Sequence, residues 1–587
     1  MTTPKPRFYE FSDFRLDAEA RLLLKQNEEV ALPPKAFDTL LELVKLKGRL
    51  LEREELMRKV WPDTFVEEGN IKVTIFNLRK AIEDNPSEPR LIQTVARRGY
   101  RFGVDVIEIE ASTHAKAATA DQAGVHSNIN SIAVLPFKLL GGVEEEYLGL
   151  GLADALIIKL SGLSNIIVRP TSAVRRYIGS EERPDEIARQ LNVEAILEGN
   201  IYRAGDRVRV TAQLIDVKHE TPLWAGKFDE RFTDIFDVED SISEQVAHAL
   251  MLKLTGQDRQ RLTTHYTENI KAYQLYLKGR YNWAKRLSEG TRLAAEDFRA
   301  AIDLDPNFTL AYAGLADCYT QLAWLRFLAP SEAMPIAKAA ALRALELDPL
   351  LGEAHASLAW IRLLYDLDYE AAENGFRHSL KLNPNYSVAR MWFGMFLIAV
   401  GRFTEALEEV NKALVLDPLS PIINAVAGWP FYFMRDYQTA IDRYKKAIEL
   451  EPKSLPAHYL LALSYLQVDA LEDSVSEMQI ALTLDDSSMT VSGLAEAYSG
   501  AGEITKATEL LDELHRRASA EEKYVSPYDE AAVYLRLRSA DRALGLLENA
   551  FEDQSTWRMF LPVDPKFDQL RHNDRFAALL KRMGMKN

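Results

Sequence analysis

A fixed period of thirty-four residues runs through the middle of this 587-residue chain. Pro384, Pro418 and Pro452 stand thirty-four residues apart, and Gly394 and Gly428 repeat at the same step. A period of this length is the signature of paired helices stacked into a solenoid, in which each repeat contacts its neighbours in sequence. The period therefore predicts an all-α array over this part of the chain.

The residue types at the repeated positions follow from helix packing. Two antiparallel helices approach closely only where small residues face each other, and bulky residues between them fill the groove. The small positions continue at Ala462, and the bulky positions are Val410, Tyr444 and Met478. Each repeat closes on a leucine, an acid or asparagine, and a proline, which lacks the N–H that a continuing helix needs.

These motifs resemble those of the tetratricopeptide repeat family. The resemblance implies an all-α solenoid over residues 270–587, with about seven or eight repeats and a divergent C-terminal cap. The step from Pro306 to Pro349 is forty-three residues. This longer step predicts a loop or an extended helix around residues 328–335.

A solenoid presents an extended surface to another macromolecule, so we expect a protein partner, which the sequence leaves unidentified. Trp360, Trp392, Trp429 and Tyr432 are open to two interpretations. They could line a concave groove for a peptide, but aromatic residues at helical spacing are more often part of the repeat core.

Length and composition indicate several folded domains in a reducing compartment. The hydrophobic content is 47%, and 587 residues are too many for one core. Cys318 is the only cysteine, which excludes an intramolecular disulfide framework. No secretory signal is predicted at the N-terminus, and the uncharged run 418–434 contains three prolines, so we predict no membrane span and a cytoplasmic protein.

The N-terminal hundred residues read as short strands followed by three helices. Extended segments are predicted over 8–11, 14–17 and 22–25, which favours a small antiparallel sheet. A helix is predicted from Pro34 until Gly48 ends it, and a second one from Arg53 until a proline breaks it after residue 61.

The third predicted helix, over residues 70–82, has one apolar stripe. Its members, at spacings of four, three and four, are Ile71, Ile75, Leu78 and Ile82. The opposite face carries Lys72, Thr74, Asn77 and Lys80. A hairpin is predicted next, with Arg97 and Arg98 at its tip. A polar, cationic helix beside a basic hairpin tip suits a major-groove helix with an adjacent wing.

Several motifs in this region resemble the winged-helix effector domain of OmpR/PhoB-class regulators. They are Leu32-Pro33-Pro34-Lys35-Ala36-Phe37, Val60-Trp61-Pro62, Leu78-Arg79-Lys80-Ala81, and Thr94-Val95 with Gly99-Tyr100-Arg101-Phe102. The resemblance implies a DNA-facing helix over 70–82 and a phosphate contact by Trp61. The predicted DNA-binding residues are Trp61, Asn70, Lys72, Val73, Thr74, Phe76, Asn77, Arg79, Lys80, Arg97 and Arg98. Many relatives have arginine at the first wing position, where this chain has Ala96.

Charge separates this module from the rest of the chain. Net charge is −16 overall, yet residues 1–105 carry 19 basic and 18 acidic side chains. Residues 69–103 hold seven basic and three acidic ones. A single arginine on a helix is usually a solvated surface residue, but this combination indicates a local patch that binds double-stranded DNA.

Residues 106–130 read as a flexible linker, since 110–130 are rich in Ala, Thr, Ser and Asn with no apolar period. Membrane-anchored CadC-like regulators share the effector-first order, but they carry a transmembrane helix after the effector, and this linker has none. We therefore expect a soluble one-component regulator that is controlled from the C-terminal side.

Residues 131–256 read as a mixed α/β domain. The clearest signal is a hairpin, with strands over 194–202 and 207–217 around a Gly205-Asp206 turn. The phrase Ile132-Ala133-Val134-Leu135-Pro136-Phe137, with Glu198-Gly199, resembles TolB-type amino-terminal domains. The predicted fold class is therefore multidomain, with a winged helix over 1–105, the linker, this α/β domain and the all-α tetratricopeptide solenoid.

The sequence contains no motif that supports an enzymatic activity. Gly149-Leu150-Gly151-Leu152 lacks the third glycine of a dinucleotide fingerprint and the lysine of a phosphate loop. No histidine pair has zinc spacing. Arg169, Arg175 and Arg176 could meet an anionic ligand, or they could be a loop and a solvated helix end. We predict a non-enzyme with no cofactor and no metal.

The leading hypothesis is a transcriptional regulator that binds DNA through its winged helix and a protein partner or signal through its solenoid. Winged helices of this class often bind as pairs on repeated half-sites, so a homodimer on DNA is one arrangement that the resemblance allows. The alternative is a tetratricopeptide scaffold whose winged helix has become a protein-interaction domain. A third hypothesis makes residues 131–256 a ligand-sensing or enzymatic unit.

Overall fold

The chain folds into two compact units, Met1–Val125 and His126–Asn587. Each unit has its own hydrophobic core. The computed structural model describes residues 8–17, 22–25, 28–30, 32, 34–60, 68–82, 84, 89–95, 98–104, 106–109, 129–140, 147–163, 166–232, 235–250, 262, 266–284, 288–520 and 524–584. The predicted flexible stretch 110–128 lies outside these residues. The predicted domain limits stay predictions.

The first unit combines two small sheets with three helices in its described part. The strands are β1 (Phe8–Phe11), β2 (Phe14–Asp17), β3 (Leu22–Lys25), β4 (Glu28–Glu29), β5 (Leu51–Glu52), β6 (Ile92–Val95), β7 (Gly99–Phe102) and β8 (Ile107–Ile109), and the helices are α1 (Pro34–Lys45), α2 (Arg53–Val60) and α3 (Glu68–Ala81). One antiparallel sheet has the order β4-β3-β2-β1-β8, and the other has the order β5-β7-β6. The predicted opening strands, three helices and hairpin are confirmed.

The core of the first unit joins the opening sheet to the helices. Phe11 packs edge-on against Phe102 of β7, with ring centroids 4.9 Å apart, and Leu40 and Leu78 from two helices are fully buried beside them. Gly48, with φ of 84°, ends the turn after α1 in a backbone conformation that favours glycine. Strand β8 pairs with β1, so the sheet extends beyond the predicted domain end at residue 105.

The second unit begins with a mixed sheet. Its elements are β9 (Ser131–Val134), β10 (Lys138–Leu139), α4 (Tyr147–Ser161), β11 (Ile167–Val168), α5 (Thr171–Val174), α6 (Pro184–Leu191), β12 (Ala195–Ala204), β13 (Arg207–Asp216), β14 (Thr221–Arg231) and α7 (Ile235–Ala249). The strand order is β11-β9-β12-β13-β14, and β10 also pairs with β12. The hairpin of β12 and β13 turns at Gly205, which has φ of 64°, as the sequence predicts.

Helices fill the remainder of the described second unit. They are α8 (Ile270–Ala284), α9 (Ser288–Leu304), α10 (Thr309–Trp324), α11 (Pro330–Leu347), α12 (Gly352–Ile361), α13 (Tyr369–Leu382), α14 (Ser387–Ala399), α15 (Phe403–Leu416), α16 (Pro421–Val426), α17 (Trp429–Met434), α18 (Tyr437–Leu450), α19 (Leu455–Gln467), α20 (Leu471–Leu484), α21 (Ser488–Gly500), α22 (Ile504–Ser519), α23 (Pro527–Arg536), α24 (Ala540–Glu552) and α25 (Asp574–Arg582). A π-helical turn, Arg362–Asp366, follows α12, and two 3-10 turns, Thr556–Phe560 and Pro565–Leu570, follow α24. The predicted tetratricopeptide solenoid is confirmed.

The contacts between paired helices confirm the reason for the small positions. A Cβ added to Gly394 would lie 2.6 Å from Val410 Cγ2, and one added to Gly428 would lie 2.4 Å from Tyr444 Cε1. Each glycine therefore faces the bulky residue sixteen positions later. A side chain larger than hydrogen has no room at either position.

The additional residues of the longer repeat step lie mainly in longer helices. Helices α10 and α11 have 16 and 18 residues, against 13 and 14 in α14 and α15. Pro335 stands inside α11 near its start. The uncharged run 418–434 forms the short helices α16 and α17, and no helix in the described ranges is long and apolar enough to cross a membrane.

The α/β part and the solenoid form one unit because buried polar contacts join them. The Arg169 guanidinium, 2% exposed, donates to the carbonyls of Leu191, Asn192, Val415 and Leu416. This burial lowers the pKa of Arg169, while Asp417 opposes the effect. Arg169 therefore ties the α/β part to the end of α15, and it is not the solvated loop residue of one sequence interpretation.

A second polar contact between the α/β part and the solenoid involves the preceding repeat. The Asn385 side-chain amide donates to the carbonyls of Ser161, Leu163 and Ile166 at 3.3, 3.3 and 2.9 Å. Gly151 of α4 lies against Leu277 of α8 so closely that an added Cβ would be 3.0 Å from the leucine side chain. The glycines of α4 thus serve helix packing inside a regular helix.

Candidate nucleic-acid interface

Helix α3 is fixed to the first unit by its apolar stripe. Ile71, Ile75, Leu78 and Ile82 are each at most 2% exposed and belong to the core that also contains α1. The spacing of the stripe fixes which face of the helix points inward. Among the described side chains between its members, those of Phe76 and Lys80 are exposed.

The outward face of α3 combines an exposed aromatic ring with a cation. Phe76 is 60% exposed, which is unusual for a large apolar side chain, and Lys80 one turn later is also exposed. Thr74 is half-buried. An exposed apolar ring and an ammonium one turn apart on one helix face can contact the thymine methyl group and the phosphates of a major groove.

Arg79 ties α3 to the following hairpin. Its guanidinium Nη2 donates to the Ile92 carbonyl at 2.6 Å and to Thr94 Oγ1 at 2.9 Å. The side chain is only 13% exposed. The structure thus gives Arg79 a positioning role between helix and wing, and its predicted DNA contact stays a prediction.

Asp84 holds the start of β6 from the other side. Its carboxylate accepts the backbone N–H groups of Arg90, Leu91 and Ile92 at 2.7, 3.0 and 2.9 Å. Its position, three residues after the end of α3 and eight residues before β6, is the sequence signal for such a cap. The positioning roles of Asp84 and Arg79 are not among the predictions from sequence.

The wing hairpin is clamped to β5 at its tip. The Arg98 N–H donates to the Val95 carbonyl at 3.0 Å, and the Arg98 carbonyl accepts from the Arg53 N–H at 3.2 Å. At Gly99 an added Cβ would lie 2.0 Å from the Leu51 carbonyl oxygen, so only glycine allows this approach of β7 to β5. These backbone contacts leave the Arg98 side chain exposed.

The predicted DNA-binding residues fall into three groups by how much of each residue the structure describes. Thr74, Phe76, Arg79 and Lys80 on α3, and Arg98 on the wing, have described side chains. Asn70, Lys72, Val73 and Asn77 lie in α3, where the structure describes their backbone alone, and Trp61 and Arg97 lie outside the described residues.

One cavity lined by described residues of the second unit is small. A cavity of about 40 Å³ lies at the junction of α7 and α8, and its lining includes Lys159, Glu239, Tyr266 and Tyr273. Small-molecule sites usually occupy several hundred Å³. Among the described residues no cluster of three His, Cys, Asp or Glu side chains could hold a metal ion.

Three family models match parts of the chain. Residues 27–102 match the model described as the C-terminal part of transcriptional regulatory proteins, and residues 127–245 match the second domain of HilA/YgeH-like transcriptional regulators. Residues 427–488 match a tetratricopeptide repeat model. The TolB-type resemblance of the middle domain stays a prediction.

Three curated relatives show how these similarities extend. The chain is 24% identical over 491 residues to the transcriptional regulator HilA of Salmonella typhi, covering 82% of this chain and 83% of that protein. It is 34% identical over 102 residues to the KDP operon regulatory protein KdpE of Escherichia coli K12, covering 17% and 45%. A putative adenylate cyclase 3 of Rhizobium meliloti is 30% identical over 187 residues, or 32% of each chain.

Proposed function

We propose that this chain, a transcriptional regulator with an OmpR/PhoB-type winged helix, a HilA-like second domain and tetratricopeptide repeats, binds double-stranded DNA with α3 in the major groove. The wing tip then lies over neighbouring phosphates. The observation that carries the proposal is the outward face of α3, where an exposed Phe76 and Lys80 stand opposite a fully buried stripe.

The contacts divide into those that read sequence and those that set affinity. Thr74, Phe76 and Asn77 read base edges and thymine methyl groups in this proposal, together with Asn70 and Val73, while Arg79 positions the wing beside α3. Lys72, Lys80, Trp61, Arg97 and Arg98 contact phosphates, which positions the helix and adds affinity without sequence preference.

The finer features of the proposal rest on the sequence and, for the homodimer, on the resemblance to OmpR/PhoB-class regulators. The protein acts in the cytoplasm as a one-component regulator, without catalysis, and binds repeated half-sites as a homodimer. The solenoid binds a protein partner. The match to an adenylate cyclase covers about a third of each chain and does not by itself indicate an activity here.

Genomic DNA selection tests the proposal. The full-length chain and an Arg97→Ala/Arg98→Ala variant are each incubated with fragmented genomic DNA, and recovered sequences are re-measured in a salt titration. We expect a shared motif and a steep salt dependence, with a slope lowered by about 1 for each phosphate contact that the variant loses. Recovery of random fragments, or of none, would favour the scaffold alternative.

A further inference from the structure

The first helices of the solenoid pairs form a common inner surface that is rich in aromatic rings. Trp324 of α10, Trp360 of α12 and Trp429 of α17 come from three different pairs. The ring centroids of Trp324 and Trp360 lie 5.4 Å apart, and those of Trp324 and Trp429 lie 6.4 Å apart. Residues about a hundred positions apart therefore meet inside the array.

A stretch that follows no repeat covers this inner surface. We call residues 555–570 the C-terminal segment; it contains the two 3-10 turns after α24. Its Trp557 stacks on Trp324 at 5.5 Å and lies 5.5 Å from Trp429. Its Phe560 stacks on Phe433 at 4.9 Å. Both rings of the segment are at least nine-tenths buried.

Polar contacts anchor both ends of the C-terminal segment to distant repeats. At one end Arg558 Nη2 donates to the carbonyl of Tyr365, after α12, at 2.7 Å. At the other end Asp568 accepts two hydrogen bonds from Arg435, after α17, at 2.6 and 3.1 Å. This second pair lies at the rim, where the Arg435 and Asp568 side chains are 34% and 40% exposed.

A lysine of the segment enters an acidic, aromatic pocket between these anchors. Lys566 is 5% exposed, and its ammonium lies 5.5 Å from the ring of Tyr528 and 3.9 Å from Asp564. Burial lowers the pKa of Lys566, but Asp564, Tyr459 and nearby acids outweigh it and raise the pKa overall.

The contacts of this segment differ in kind from those of a repeat. A repeat in a solenoid contacts its immediate neighbours, whereas residues 555–570 touch pairs that begin near residues 309, 352, 421 and 527. The segment inserts aromatic anchors into pockets and pairs its charges at the rim, which is the pattern of a peptide in a protein groove.

We propose that the inner surface of the solenoid is a peptide-binding groove whose resident ligand is the chain's own C-terminal segment. A protein partner enters this groove by presenting a segment of the same chemistry, with a tryptophan and a phenylalanine three residues apart and a lysine six residues further on. It displaces residues 555–570 as it binds. This inference rests on the proposed protein-binding role of the solenoid and is independent of DNA binding.

The first test measures binding of a labelled synthetic peptide of residues 553–573 to the full-length chain by fluorescence anisotropy. The unaltered chain should bind it weakly, because the groove is filled. A Trp557→Ala/Phe560→Ala chain should bind it at least about tenfold more tightly, since the loss of two buried aromatic anchors weakens the resident segment. Phe576→Ala is the matched control, because this buried ring lies in α25, which packs on α24.

A charge swap at the rim provides a second variant that leaves the buried core intact. Arg435→Glu repels Asp568 of the resident segment. This chain should bind a peptide carrying Asp568→Arg about tenfold more tightly than the natural peptide. The unaltered chain should show the opposite order.

Circular dichroism establishes that each variant keeps its helical content. Tight binding to the double-alanine chain, or the reversed peptide preference of the Arg435→Glu chain, supports the groove. The proposal is overturned if folded Arg435→Glu chain binds both peptides equally or neither, because residues 555–570 would then be an integral part of the fold. DNA affinity is measured on the same samples, so failure of the groove and failure of the DNA-binding proposal are read separately.

Discussion

At the scale of single residues, the proposed readout of DNA bases depends on side chains of α3 that lie outside its buried stripe. The buried apolar stripe of α3 and the exposed Phe76 show which face of the helix is turned to the core and which is not. Asn77 follows the exposed Phe76 and precedes the fully buried Leu78. This position makes it the sharpest probe of base readout.

Asn77→Ala should weaken binding to the selected DNA motif by about 1–3 kcal/mol and change binding to random DNA little, because a bidentate amide contact to a base is lost. Lys80→Ala is the control, and it should weaken binding to both DNAs and lower the salt slope by about 1. Equal losses on motif and random DNA for Asn77→Ala would remove this residue from the readout.

We expect Glu239 to make the stability of the second unit depend on pH. It is fully buried in α7 and accepts a hydrogen bond from Tyr273 of α8. Burial raises the pKa of Glu239 from 4.5 to about 7, although the charge of Lys159 opposes the shift. Between these pH values the folded protein holds a proton that the unfolded chain has released.

The free energy of unfolding of the second unit should therefore fall by about 3 kcal/mol from this group as pH rises from 4.5 to 7. Glu239→Gln should remove that part of the slope, which urea unfolding at pH 5 and pH 8 would measure. Glu244→Gln, an exposed acid on the same helix, should leave the slope unchanged. A slope unaltered by Glu239→Gln would contradict the assignment.

At the scale of elements, hydrogen bonds and close packing decide how neighbouring segments are aligned. Helix α3 and the wing are separate predictions from sequence, and Arg79 and Asp84 join them into one surface. In the solenoid, glycines set the distance between paired helices. Both devices act between elements that are close in sequence.

Arg79→Ala should destabilise the winged-helix unit by about 1–3 kcal/mol, because the buried Ile92 carbonyl and the Thr94 hydroxyl lose their donor. The wing then loses its alignment with α3, so binding to motif and random DNA should both weaken. Thermal unfolding and DNA titration measure the two effects. A variant of unchanged stability would show that the hairpin is held by other contacts.

Gly428→Ala should cost about 1–3 kcal/mol of solenoid stability, because the new methyl group would overlap the ring of the fully buried Tyr444. Gly545→Ala is the matched control. Gly545 lies in α24 with no atom within 4 Å of an added Cβ, so alanine should stabilise that helix by up to about 1 kcal/mol. Denaturant unfolding of both variants should give opposite signs.

At the scale of the whole molecule, the α/β part and the solenoid share one continuous core. The first unit has its own core and its own contacts. We therefore expect two thermal transitions, one for each unit. The buried Arg169 belongs to the second.

Arg169→Ala should lower the unfolding temperature of the second unit alone. Its free energy of unfolding should fall by about 3 kcal/mol, because buried carbonyls in the α/β part and in the solenoid lose their donor. Arg176→Ala, an exposed residue nearby, should change stability by less than about 0.5 kcal/mol. Differential scanning calorimetry distinguishes the outcomes. Separate transitions for the α/β part and the solenoid would contradict a shared core.

The local sequence pattern by itself determined the secondary-structure elements of this protein and explains the residue types at many of their positions. The thirty-four-residue period, the stripe of α3 and the Gly205 turn each depend on neighbours within one repeat, helix or hairpin, so their periodicity is visible in one dimension. The candidate site was found in the same way, because a helix face is fixed by spacing. Side-chain partners such as those of Arg79 are not fixed by spacing.

Only the tertiary structure decided which distant surfaces meet. Arg169 contacts carbonyls almost 250 positions away, and Trp557 stacks on Trp324. Trp360 and Trp429 are buried among the repeats, as the sequence favours, and Trp557 of the C-terminal segment packs against Trp429. The physical reason is that the curvature of a solenoid accumulates from small rotations between repeats. The sequence of a single repeat therefore does not determine which distant repeats come into contact.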